Sequence, residues 1–193
     1  MLLGISAFLF GLLAFAFSRW VPLRHRWRRR RRRQARVIAG QLRGADRLQP
    51  PQFRYARLRA MDPLAFEELL MESLERCGYK VTRNHRSAGG EGVDGEVVID
   101  GSVWLIQAKR YADTMQPEHV AAFENLCRVN GHRGLFIHTG RTCPQSRAVI
   151  TDGSVVQIIA GRALLALLTD GSLPMLAPPI NQVLPEKTPG RLL

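Results

Sequence analysis

Residues 89–111 read GGEGVDGEVVIDGSVWLIQAKRY, and this stretch decides the fold. Asp100-Gly101 is the dipeptide of a type I′ turn, flanked on both sides by β-branched and aromatic residues. A two-residue turn fixes hairpin register, so Val98 faces Val103, Glu96 faces Leu105 and Asp94 faces Gln107. Directly opposed side chains share a face, as do positions two apart on one strand. Asp94, Glu96, Gln107 and Lys109 therefore project together at the end far from the turn. Val98, Val103 and Leu105 make the rest of that face apolar. A bulge in the first strand would break this register.

A carboxylate, an amide oxygen and an ammonium at one strand end suit metal-assisted phosphodiester hydrolysis. Magnesium is a hard cation that takes oxygen ligands and keeps several waters. Asp94 can bind it, and the backbone carbonyl of Ala108 can add a neutral ligand. Lys109 can orient or deprotonate the attacking water and stabilise charge growing on a phosphoryl oxygen.

Upstream, MDPLAFEELLMESLERCGYK reads as a helix, with Asp62 as cap, Pro63 at the first helical position and Gly78 as the stop. Phe66, Leu69, Leu70, Leu74 and Cys77 form its apolar face, and Glu68, Glu72 and Glu75 lie opposite as solvated charges. Glu67 falls on the edge of the apolar face. A carboxylate there either snorkels or has a buried partner, because an unpaired buried charge is costly; it can also hold a metal-bound water. YKVTRNH then reads as a strand and SAGGEG as a flexible link. Downstream the chain alternates: PEHVAAFENLCRVNG is a helix with Val120, Phe123, Leu126 and Cys127 inward, and GLFIHT a buried strand. TCPQSRAVITDG is a short helix, SVVQIIA a strand and RALLALLTDG a last helix. The order α-β-β-β-α-β-α-β-α indicates an α/β fold, a mixed sheet with helices on both faces.

The charge is unevenly spread. Of 28 Lys+Arg in the 193 residues, 15 fall in residues 1–60 with one acid, Asp46, giving +14 of the net +12. The remaining 13 bases meet 15 acids, so residues 61–193 carry −2. Residues 1–23 open MLLGISAFLFGLLAFAFSRWVPL, uncharged before Arg19. Residues 1–18 would make about 27 Å of helix, close to the ~30 Å hydrocarbon core that Arg19 and Trp20 can help to span. RHRWRRRRRRQAR follows on one side only, which orients a single-pass anchor with the N-terminus out and the domain in the cytoplasm, at the inner membrane. A cleaved signal peptide is the rival reading; the missing basic n-region opposes it. The Arg run suits a stop-transfer flank touching anionic lipid, or an arm binding nucleic-acid phosphates. Residues 24–60 read as an Arg-rich neck or linker, 61–172 as the globular domain and 173–193 as a Pro-rich tail. Cys77, Cys127 and Cys143 are scattered and odd in number, which reads as reduced thiols rather than a disulfide framework. The histidines show no zinc-like spacing.

In order, FEELL…CGY, GGEGVDG, LIQAKRY, GLFIHTG and Gly161-Arg162-Ala163-Leu164 resemble the catalytic domain of the Mrr-type restriction endonucleases, members of the PD-(D/E)xK nuclease superfamily. The likeness covers residues 62–168, with IQAKRY its most specific part. It implies an α-β-β-β-α-β core, metal and catalytic roles for Asp94, Gln107 and Lys109, and a correspondence of Glu67 with the family's first-helix glutamate. Arg83, Arg86, Arg110 and Tyr111 flank the cluster and are candidate phosphate contacts. Glu91 stands where Asp is common and Ala108 where Cys is frequent. Mrr-like enzymes that restrict modified DNA carry a separate recognition domain; here an apolar segment and an Arg-rich run take its place. The expectation is a membrane-tethered, Mg2+-dependent DNA endonuclease (Mn2+ as a substitute metal), compatible with a homo-oligomer. The alternative is a catalytically silent nuclease fold serving as a DNA-binding or assembly module of a membrane complex.

Overall fold

The computed structural model describes residues 27–84, 92–145 and 153–173. The apolar segment 1–23, Arg86 and the tail from residue 174 lie outside the described residues. Among the described residues no helix is long and apolar enough to cross a membrane.

Residues 27–43 form helix α1, followed by α2 (Pro51–Ala60) and α3 (Pro63–Arg76). Strands β1 (Lys80–Arg83), β2 (Gly95–Ile99) and β3 (Ser102–Lys109) come next, then α4 (Pro117–Val129), β4 (Arg133–His138), β5 (Val156–Ile159) and α5 (Gly161–Thr169). Of the short helix expected over residues 142–153, residues 144 and 145 are helical and 146–152 lie outside the described residues. The sheet order follows the chain, with β1, β2 and β3 antiparallel and β3, β4 and β5 parallel. The turn after β2 has positive φ at both Asp100 (49°) and Gly101 (77°), as a type I′ turn requires. The hairpin register is the one the turn dictates, from Ile99↔Ser102 to Gly95↔Ile106.

Period-two alternation sorts the strands between two cores. Val97, Ile99, Trp104, Ile106, Leu135 and Ile137 pack beneath α3 and α5, while Leu105, Phe136 and Val156 pack beneath α4 with Val120, Phe123 and Cys127. Helix α3 forms where expected: the Asp62 carboxylate accepts the Ala65 N–H at 3.1 Å, and Phe66, Leu69, Leu70 and Leu74 are buried. Met71 and Ser73 are buried as well, which widens the apolar face beyond the expected stripe.

Residues 24–60, read as a neck, are helical and packed where they are described. Ala35, Ala39 and Leu42, spaced as one helical stripe, are buried in the same core as α3, and Leu58 of α2 joins them. The alanines let α1 lie close against its neighbours. Arg31, Arg32 and Arg36 pair with Asp62, Glu68 and Glu72 at 3.7, 3.2 and 2.7 Å, so α1 runs parallel to α3. Glu68 and Glu72 are thus not solvated charges: α1 covers them. The hydropathy pattern of α3 cannot reveal a cationic partner supplied by another helix. Tyr55 Oη donates to Gly161 O at 2.5 Å, and Arg59 donates to Thr139 O at 2.8 Å, which fastens α2 to α5 and to the end of β4. Cys77, Cys127 and Cys143 are not joined by disulfides.

Candidate active site

The hairpin ladder changes one residue beyond Gly95. An in-register Asp94 would sit opposite Gln107 in a non-hydrogen-bonded pair, with its N–H turned toward β1; instead its N–H goes to Ile106 O at 2.8 Å. Its side chain turns into the position the strand has vacated, and its Oδ2 accepts the Ala108 N–H at 2.6 Å. The carboxylate therefore lies in the plane of the sheet, not on the α4 face where strict alternation would put it. On an extended strand a residue's carbonyl points to the same edge as its N–H. The Ala108 carbonyl thus faces the edge where β2 has ended and Asp94 sits. Glu96, expected on the cluster's face, is exposed to solvent.

Two glycines make this geometry possible. A Cβ on Gly95 would sit 2.8 Å from Met71 Cε and 2.8 Å from Thr82 O, so α3 rests directly on the backbone at the start of β2. Glu67 is one turn ahead of Met71 on the same side of α3, which carries it past the end of β2 and over Asp94. Gly92, at φ 71°, lies so close to Gln107 that a Cβ there would meet Nε2 at 2.6 Å. Neither glycine stands out in the sequence by residue type; the GGEGVDG stretch marks only a turn-rich region.

Electrostatics follow from this crowding. Burial, and then the nearby Asp94 charge, push the Glu67 carboxyl up to about 8, with Arg31 and Lys109 opposing the shift. Burial also raises Asp94, against the Ala108 N–H bond and the Lys109 charge. Two carboxylates thus share a partly buried site with too little positive charge to keep both ionised. Gln107 is 6% exposed, and its Oε1 has no hydrogen-bond partner among the described residues. An orphaned carbonyl oxygen and two protonation-prone carboxylates are three hard oxygen donors of the kind a divalent cation takes. No three carboxylate, imidazole or thiol side chains converge among the described residues, so the set is two acids, one amide and one main-chain carbonyl.

Of the flanking candidates, Arg83 is committed to Glu68 (2.9 Å) and to a two-pronged pair with Glu75 (2.5 and 2.7 Å), holding β1 to α3. Arg110 donates to Arg59 O at the end of α2. Tyr111 is half-buried: its N–H donates to Thr139 Oγ1 at 3.1 Å, its ring stacks on His119, and its hydroxyl pairs with His119 Nδ1 at 2.6 Å. His138 is fully buried against Tyr111 and Phe136, and burial lowers it to about 4, so it packs as a neutral ring.

A family model for the restriction endonuclease catalytic domain of the Mrr type matches residues 58–168, more than half of the chain. The chain belongs to the Mrr-type restriction endonuclease family. No curated protein and no solved structure matched it. Within the Mrr-type domain, the matched region holds Glu67, Asp94, Gln107 and Lys109, and its five-stranded mixed sheet with flanking helices is restriction-endonuclease-like.

Proposed function

We propose that this Mrr-type nuclease is a divalent-metal-dependent DNA endonuclease, using Mg2+ with Mn2+ as a substitute, tethered at the inner membrane by residues 1–23 with its nuclease domain in the cytoplasm. The observation that carries the catalytic part is the buried, unpartnered Oε1 of Gln107, next in sequence to the Ala108 N–H that the in-plane Asp94 carboxylate accepts. Asp94 and the Ala108 carbonyl would hold the ion, Gln107 would add a neutral oxygen, and Glu67 would hold one of its waters. A bound divalent ion supplies charge neutralisation and a polarised phosphoryl oxygen. Lys109 orients the attacking water, takes part in its deprotonation and steadies the negative charge that grows on the phosphoryl group. The tether rests on sequence alone: an uncharged apolar run followed by arginines on one side.

Incubating the full-length chain with supercoiled plasmid, with and without Mg2+, tests this reading. Metal-dependent nicking that disappears in Asp94→Ala and Lys109→Ala is the expected result. No cleavage by folded protein on methylated, unmethylated or single-stranded DNA would overturn it in favour of a silent binding or assembly module. The internal engagement of Arg83 and Arg110 is what that second reading has in its favour, since it removes two cations from the sheet's surface. Membrane tethering is checked separately: the protein should stay in the membrane pellet at high salt.

A further inference from the structure

With Arg83 and Arg110 spoken for, the cations that meet the substrate must come from elsewhere. Helix α1 divides its arginines into two sets. Arg31, Arg32 and Arg36 are tied to the carboxylates along α3. Arg28, Arg29, Arg30 and Arg33 are exposed, and none has an acidic partner among the described residues. At about 100° per residue, Arg30 and Arg33 fall opposite the buried Ala35–Ala39–Leu42 stripe, with Arg29 at its flank. Arg28, seven residues before Ala35, points the same way as that stripe yet is exposed, because α3 begins only level with Arg31. Arg28 therefore overhangs the N-terminal end of α3, while Arg29, Arg30 and Arg33 line the outer side of α1. That N-terminal end carries Glu67, and Arg31 lies close enough to Glu67 for its charge to favour the ionised carboxyl.

Resting on the nuclease reading above, we infer that the exposed arginines Arg28, Arg29, Arg30 and Arg33, a ridge that winds round the first two turns of α1, grip the phosphate backbone of duplex DNA, while the paired arginines Arg31, Arg32 and Arg36 do not. Arg29 and Arg33 stand one turn apart on an exposed face, and four fixed charges within two turns match the dense, evenly spaced charge of a duplex. The ion pairs of Arg31, Arg32 and Arg36 keep the helix from rotating, so the ridge holds a set orientation to the site. An anionic bilayer offers the same phosphate chemistry, and vesicle binding distinguishes the two.

The full-length chain, kept in a non-ionic detergent and in EDTA so that no cleavage occurs, is titrated with a 30-bp duplex at several NaCl concentrations. Arg28→Gln, Arg29→Gln, Arg30→Gln and Arg33→Gln are combined in one variant, and its thermal unfolding should match that of the wild type because all four side chains are exposed. The slope of log K against log[salt] should shallow by about 3 units, near 0.9 per lost phosphate contact, with affinity down at least about tenfold at 0.1 M salt. An unchanged slope overturns the inference. If the wild type still nicks plasmid with Mg2+ in that case, the nuclease reading stands without the ridge; if it neither binds nor cuts, both fall. Loss of binding to phosphatidylglycerol vesicles with DNA binding intact would also overturn it and assign the ridge to lipid.

Discussion

The Asp94 carboxylate accepts the main-chain N–H of Ala108 at 2.6 Å, taking the place that the next residue of β2 would hold in the ladder. One side chain thereby ends a strand and opens a site that α3 reaches from one face of the sheet and Gln107 and Lys109 from the other. Asparagine keeps a carbonyl acceptor for that bond and removes the charge. Asp94→Asn should therefore fold with an unfolding midpoint within about 2 °C of the wild type while cleavage falls at least about 100-fold. Asp94→Ala leaves a buried N–H unpaired and should cost about 1–3 kcal/mol in urea unfolding as well.

Gly92 and Gly78 make a matched pair. Both have positive φ, 71° and 88°, but a Cβ on Gly92 strikes the Gln107 amide whereas one on Gly78 meets open space. Each alanine substitution should cost about 1–2 kcal/mol of stability. Only Gly92→Ala should lower cleavage sharply, about tenfold or more, by displacing the amide. Equal loss of activity in both variants would show that backbone strain, not the Gln107 contact, matters.

The raised Glu67 carboxyl sets a pH dependence. Between the ordinary value of 4.5 and about 8, the folded protein holds a proton that the unfolded chain has released. Stability of the metal-free protein should therefore decline as pH rises through that window. Glu67→Gln cannot ionise, so it should flatten this limb and exceed the wild type by about 1–2 kcal/mol at pH 9, allowing for solvent screening of a partly buried group. Denaturant melts in EDTA at pH 5, 7 and 9 read the effect, and a variant that parallels the wild type at all three would refute it.

Helix α1 belongs to the core, so its apolar stripe should matter as much as that of α3. Leu42→Ala, at a fully buried position, should destabilise by about 2–5 kcal/mol. A fragment beginning at residue 50 should expose the α3 surface that Ala35, Ala39 and Leu42 cover, and should aggregate or unfold. A fragment that melts cooperatively at the full-length temperature would contradict the packing.

The hairpin was legible because turn type, register and alternation are local: Asp100-Gly101 and the flanking residues suffice to pair Glu96 with Leu105. Periodicity likewise finds α3 and α4. What local rules miss is the exit from regularity at Asp94, where the strand stops and the side chain completes the ladder. They also miss the partners of Glu68 and Arg83, which depend on α1 and β1 lying on either side of α3. A run of arginines reads as a solvated or membrane-flanking segment until the acids it meets, Asp62, Glu68 and Glu72, are known to be neighbours in space. Conversely, Glu67 was suspect from its wheel position alone, because a carboxylate at the rim of an apolar face needs a reason.

The absence of slack between α1 and the core has a mechanical consequence. From Trp27 to the first buried residue, Ala35, the chain is continuous helix, about 12 Å long. Trp27 therefore stands at a fixed distance and with a fixed heading from the catalytic body, like the tip of a rigid shaft. Between Trp27 and the core there is no leash on which the domain could swing.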